Sequence, residues 1–174
     1  MAEVKSARPR TESEAVVERA KDFWGRFGKI ISIALGAVIL LVGGFLIYKN
    51  FIQGPKEKKA ADAIAKVQTS FDSIRNLSGD TVNRFIDITI AESENVVKQY
   101  SSTKGGNLAH FYAGASYLIK GNFDKAVSHL KEFDGEDAPQ IQARAYKLLG
   151  DAYAEQGKGK DAVDYYKKAA RQFE

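Results

Sequence analysis

The sequence predicts an all-α protein, a single transmembrane helix followed by an α-solenoid of stacked helix pairs. Three observations predict it. The run IISIALGAVILLVGGFLIY, Ile30–Tyr48, is apolar and carries no charge. The stretches after it place apolar residues at helical spacing. The C-terminal part then repeats itself at an offset of 36 residues.

The apolar run comes first because it constrains everything else. At 1.5 Å per residue it reaches roughly 29 Å, about the hydrocarbon thickness of a bilayer. Backbone groups in lipid must bond within the segment, so 30–48 is expected to be a helix despite its Ile and Val content. It is too long for the apolar core of a signal peptide, and no small-x-small cleavage site follows. Lys49 to Pro55 follow instead. Trp24 and Tyr48 bracket the span as interfacial aromatics do. Gly28, Ser32, Gly36 and Gly44 line one face of the span and its entry at spacings of four, with Leu40 interrupting, a narrow small-residue ridge that lets a second helix approach closely.

Before the span, residues 1–13 hold Pro9 and scattered charge and read as a disordered tail. Residues 14–29 place Val16, Val17, Ala20, Phe23, Trp24 and Phe27 at helical spacing, the pattern of an amphipathic juxtamembrane helix lying on the lipid bilayer. After the span, residues 49–59 form a basic linker broken at Gly54-Pro55. Residues 60–106 read as a degenerate helix pair. Ala60, Ala63, Ile64, Val67, Phe71 and Ile74 make the first stripe. Phe85, Ile86, Ile90, Val96, Val97 and Tyr100 make the second, with a loop over residues 76–80 between them. A polar break over Ser101–Asn107 contains Gly105-Gly106.

Residues 107–174 carry the repeat. Aligning Gly114 on Gly150 also aligns Ala109 on Ala145, Tyr117 on Tyr153, Gly121 on Gly157, Ala126 on Ala162 and Val127 on Val163. A period of this length means stacked helix pairs. Mid-helix Gly114 and Gly150 cost about 1 kcal/mol each against Ala, which is tolerable where a second helix packs on the backbone. Gly121 and Gly157 are placed to end the first helix of each pair as left-handed caps. Ala126 and Ala162 are small so that the second helix crosses close to the first.

This spacing resembles the tetratricopeptide repeat, with its small residue at position 8, Tyr at 11 and Ala at 20. His110 and Tyr146 stand where the consensus has Trp. The resemblance implies a concave surface lined by the first helix of each pair. By that register the partner-binding face carries Leu108, Phe111, Ala115 and Leu118, then Arg144, Lys147 and Asp151. The competing reading has Leu108 and Phe111 covered by the preceding helices. Ala115 and Asp151 occupy the position where carboxylate-clamp repeats carry Asn, which argues against capture of a chaperone tail.

No catalytic pattern stands out. The chain lacks Cys, so thiolate chemistry is impossible, and it has two histidines, His110 and His129, both at packing positions. No phosphate loop or nucleophile turn occurs, and no cofactor or small-molecule substrate is expected. Asp134, Glu136 and Asp137 lack the spacing of a calcium loop and read as a solvated turn. The net charge of +4 divides as +2 in residues 1–29, +3 in 30–59 and −1 in the remainder. Juxtamembrane charge of this kind attracts anionic lipid; it is not a nucleic-acid footprint. The flanks of the span carry four basic residues each, so charge does not set the orientation.

The layout of tail, span, charged Ala-rich helix and repeats resembles the YfgM-like proteins of Gram-negative bacteria. The stretch YSSTKGGNLAHFYAGASYLIKGNFDKAVSHLKEF is similar to the Bacteroidetes branch. The resemblance implies an inner-membrane protein with a cytoplasmic N-terminus and periplasmic repeats. It also implies association with the SecYEG translocon and a PpiD-like chaperone, and contact with emerging secretory proteins. A structural subunit of another envelope complex, for secretion or motility, is the alternative, and a lipid-surface adaptor with cytoplasmic repeats a third.

Overall fold

The computed structural model describes residues 12–75, 77–135 and 138–172, and among these no strand occurs. The tail up to residue 11, Asn76 of the expected loop, Glu136, Asp137 and the last two residues lie outside the described residues. The chain divides into two units, Met1–Lys49 and Asn50–Glu174.

The first unit is α1, Glu12–Ile47. The surface helix expected over 14–29 and the span expected over 30–48 are thus one uninterrupted element. Nothing in the sequence breaks it: no Pro lies within it, and Gly25 and Gly28 are tolerated. Among the described residues this is the helix long and apolar enough to cross a membrane. Its side chains face outward, Leu40 at 77 % exposure and Ile33 at 73 %.

A π-helical segment, Tyr48–Gln53, follows, and then α2, Gly54–Ile74. The break expected at Gly54-Pro55 is therefore a helix start. Pro55 sits in the first turn of α2, where its missing N–H leaves no bond unmade. The expected linker over 49–59 is helical too, π-helical up to Gln53 and α-helical from Gly54.

The second unit stacks three helix pairs. They are α2 with α3 (Asp80–Tyr100), α4 (Lys104–Ile119) with α5 (Phe123–Glu132), and α6 (Pro139–Glu155) with α7 (Gly159–Arg171). Each helix packs on the next, and α4 also packs on α2 and α6. Buried side chains form three cores in chain order. Val67, Val96 and Ala109 join the first pair to α4. Ile86, Ile90, Tyr117, Ala126 and Ala152 tie α3 to the pairs that follow. Phe111, Leu130, Phe133, Ala145, Leu149 and Tyr153 fill the space between the last two pairs.

The repeat positions act as their spacing predicts. Gly121 and Gly157 adopt φ of +81° and +73°. Around each, two backbone bonds close the helix end. Asn122 N–H donates to Tyr117 O at 2.9 Å and Gly121 N–H to Leu118 O at 3.0 Å. Lys158 and Gly157 repeat this on Tyr153 O and Ala154 O, both at 2.9 Å. This is the Schellman closure that left-handed glycine permits. Ala126 and Ala162 are buried at the crossing of each pair.

The polar break is shorter than expected. Only Ser101–Thr103 is non-helical; Gly105 and Gly106 form the first turn of α4 and are buried. Thr103 caps that turn, its hydroxyl accepting from Gly106 N–H at 2.9 Å. Glu57 on α2 accepts from Lys104 N–H at 3.1 Å, a carboxylate at a helix N-terminus. A Cβ on Gly105 would stand 2.8 Å from Ala60 O and 2.9 Å from Ala60 Cβ, and one on Gly106 would strike the Tyr100 carbonyl. These glycines permit contact between backbones, where a side chain has no room to turn aside. Gly105→Ala should therefore lower the stability of the second unit by about 1–3 kcal/mol, the usual cost of overpacking. Gly36→Ala, which meets nothing within 4 Å, should not. Thermal unfolding of both variants in detergent measures the difference.

Candidate functional site

The expected inner-face residues do not form one open surface. Phe111 and Ala115 are buried at 4 % and 3 % exposure, so neither lines a groove. Phe111 belongs to the core between the last two pairs, against Leu130, Phe133 and Leu149. Its covering comes from α5 and α6 rather than from the preceding helices. Leu118 is half-buried and packs on the core of Ile86, Ile90 and Tyr117. Arg144 lays its guanidinium 5.8 Å from the Phe111 ring centre. Lys147 is exposed and pairs with Asp151 one turn on, at 2.8 Å. Tyr166 Oη donates to the other Asp151 oxygen at 3.0 Å. An exposed pair of this kind contributes about 0.3–0.5 kcal/mol and does not define a site. Of the transmembrane ridge, Gly28 is covered by the Trp24 indole of its own helix, whereas Ser32, Gly36 and Gly44 face outward.

Leu108 is half-buried and packs on the edge of the core that holds Phe111. Two adjoining cavities open on either side of it. One, of about 460 Å³, lies over α2 and is lined by Lys58, Ala61 and Ile64. The other, of about 360 Å³, lies toward the turn before α6 and is lined by Asn107, Phe133 and Ile141. Leu108 and Lys104 border both, so the two read as halves of one trough crossing the N-terminal ends of α2, α4 and α6. The far wall is held in place by polar clamps. The Asn107 amide donates to Asp134 O at 2.5 Å and accepts from Asp134 N–H at 2.9 Å. Gly135 N–H donates to Gln142 Oε1 at 2.6 Å. A pre-formed apolar trough with polar rims is built to receive apolar side chains of a peptide or helix.

Sequence reasoning missed Tyr112, one residue away from Phe111. Tyr112 meets Phe71 of α2 edge-on, ring centres 5.3 Å apart. Burial raises its pKa, the negative charge of Asp72 adds to this, and Arg144 opposes it. Both residues are aromatic and a helix turns 100° between them, so composition alone does not say which points inward. Among the described residues, no group of three or more His, Asp or Glu side chains is arranged to hold a metal ion.

The two histidines meet each other. His110 Nδ1 on α4 lies 3.3 Å from His129 Nδ1 on α5, one ring donating and the other accepting. Tyr117 stacks on His129, centroids 5.6 Å apart. The Tyr117 hydroxyl donates to Glu94 of α3 and accepts from Lys125 Nζ at 3.0 Å. Burial pushes His110 below the ordinary 6.5, with Glu132 opposing. Burial lowers His129 as well, followed by His110, while Glu94 and Glu132 oppose and Lys125 assists. Folded values below the unfolded one mean that folding favours the neutral rings. The stabilisation is complete above pH 6.5 and is lost as pH falls through the lower folded values. The midpoint of thermal unfolding should drop between about pH 7 and pH 5, and His129→Gln should flatten that part of the profile.

The family comparison covers most of these elements. Residues 21–143 match the tetratricopeptide repeat-like domain, from within α1 through the first two helix pairs to the start of α6. No curated protein matches the sequence, and no solved structure does. The matched stretch exceeds half of the chain and holds the Gly121 cap, the crossing residue Ala126 and the trough around Leu108, so the protein belongs to the family of tetratricopeptide repeat-like domains.

Proposed function

We propose that this chain is a membrane-anchored protein-binding module that serves the Sec translocon. In this reading α1 is a single-pass anchor in a bacterial inner membrane and the helix pairs lie in the periplasm. The trough beside Leu108 takes an apolar segment of a chaperone or of an emerging secretory protein. It works by binding, with no reaction step of its own. The observation that carries the binding role is that trough, apolar in Leu108, Ile64 and Ile141, on a repeat fold of the kind that holds peptides. The translocon assignment is supported by the YfgM-like layout. A structural subunit of another envelope complex is the second reading. It is favoured by Val163 and Tyr166 on α7, 49 % and 39 % exposed, which suit a fixed lateral contact.

A phosphatase fused after Glu174 should be active in intact bacteria and a cytoplasmic reporter there silent; the reverse would remove the periplasmic reading. Leu108→Asp combined with Ile141→Asp should lower photocrosslinking to secretory chains at least about tenfold, the loss that 1.4 kcal/mol produces. Lys147→Ala, outside the trough, should leave it unchanged. Unchanged crosslinking in the double variant, with translocon subunits absent from the crosslinked products, would favour the structural-subunit reading.

A further inference from the structure

The two repeats share a stack of three rings and differ in its chemistry. In the second repeat Tyr153 stacks on Tyr165, ring centres 5.4 Å apart, and Tyr165 meets Tyr146 at 6.1 Å. In the first repeat the same places, 36 residues earlier, hold Tyr117, His129 and His110. Tyr117 stacks on His129 at 5.6 Å, and His129 meets His110 at 5.3 Å. Packing asks only for an aromatic ring at these places, and tyrosine supplies it at 146 and 165. The first repeat instead carries imidazole at both places at once, and these are the two histidines of the chain.

Their nitrogens stand where two ligands of one metal ion would. His110 Nδ1 on α4 and His129 Nδ1 on α5 are 3.3 Å apart. Two Zn–N bonds of about 2.0–2.1 Å that meet at a tetrahedral angle set their nitrogens about 3.3–3.4 Å apart. A hydrogen bond from nitrogen is usually shorter, about 2.9–3.0 Å. The ring centres are 5.3 Å apart against 3.3 Å for the nitrogens, a difference too small for rings that face head-on. The rings meet at an angle, as chelation requires. Both are half-buried, they come from different helices, and Tyr117 covers one face of His129, so the bite is set before any ion arrives.

The surrounding charge suits a cation. Glu94 and Glu132 act on His129 against Lys125, and Glu132 acts on His110 as well. Lys125 is itself occupied, with Nζ 3.0 Å from the Tyr117 hydroxyl and 3.8 Å from Glu94.

We propose that His110 and His129 bind one zinc-class divalent cation between their Nδ1 atoms, with water completing its coordination, and so clip α4 to α5. Imidazole is mostly neutral at pH 7, and the ring that donates in the metal-free pair moves its proton to Nε2 to free the second lone pair. Imidazole ligands at a tetrahedral bite suit zinc better than a square-planar ion. Neither histidine lines the trough beside Leu108, so the site is separate from peptide binding.

Zinc titrated into the full-length chain in detergent at neutral pH should bind once per chain and raise the midpoint of thermal unfolding. Magnesium, which prefers oxygen ligands, should do neither. His110→Tyr combined with His129→Tyr installs the second repeat's own pair and keeps the stack. That variant should retain its helical content by circular dichroism and bind zinc at least about tenfold more weakly. Equal zinc affinity in the double variant, or no zinc bound by the folded unaltered chain, would overturn the proposal. Copper(II), which binds imidazole more tightly than zinc, gives a check that needs no variant. Its paramagnetic resonance on the unaltered chain should show coupling to two imidazole nitrogens at one ion. The chain has no Cys and no third histidine to confuse the signal. Coupling to a single imidazole, or to none, would overturn the site whether or not the tyrosine variant folds.

Discussion

How near α4 can come to its neighbours is set at positions that carry no side chain. At Gly105 the backbone of α4 lies on the carbonyl and Cβ of Ala60, and at Gly106 it lies on the Tyr100 carbonyl. At Gly114 the backbone touches Leu130, with the Ala126 carbonyl 3.2 Å from where a Cβ would stand. Each glycine costs about 1 kcal/mol of helix propensity. The compensation is burial of the neighbouring side chains. Val67 and Ala109 are fully buried on one side of α4, and Leu130 and Leu149 are 1 % exposed on the other. Truncating a leucine so placed costs about 2–5 kcal/mol, more than the propensity lost at any one glycine. The three cores exist because α4 is thin along two edges.

That dependence explains what was legible in the sequence and what was not. The helix ends at Gly121 and Gly157 and the crossings at Ala126 and Ala162 need a particular residue type, so they leave a signature at a fixed offset. Gly105-Gly106 leaves the same two letters in a loop as in a packed helix start. The difference lies in Ala60, far away in sequence, and in the Thr103 cap that turns the chain back on Tyr100. Pro55 misled in the same way. A proline breaks a helix interior but opens a first turn, and which of these applies depends on where the turn falls. The inner face failed for a geometric reason. The consensus register placed Phe111 in the groove, yet Phe133 and Leu149 draw it into the core and leave Tyr112 beside Phe71. Leu108, at the start of α4, stays half-buried at the edge of that core, where the two cavities open.

The two units answer different solvents. In the second, the half-buried and buried apolar residues sit against each other, and exposed large ones are few: Phe51, Ile52, Ile119, Val163 and Tyr166. In α1 nearly every large apolar side chain from Val16 to Ile47 faces outward. A helix with exposed apolar residues on all sides suits lipid. α1 has that pattern after Ile30 and mixes apolar with charged residues before it. Its charges divide accordingly: Glu12, Glu14, Glu18, Arg19, Lys21, Asp22, Arg26 and Lys29 all precede Ile30, and the next charge is Lys49. The change from one pattern to the other falls at Lys29, with no break in the backbone to mark it.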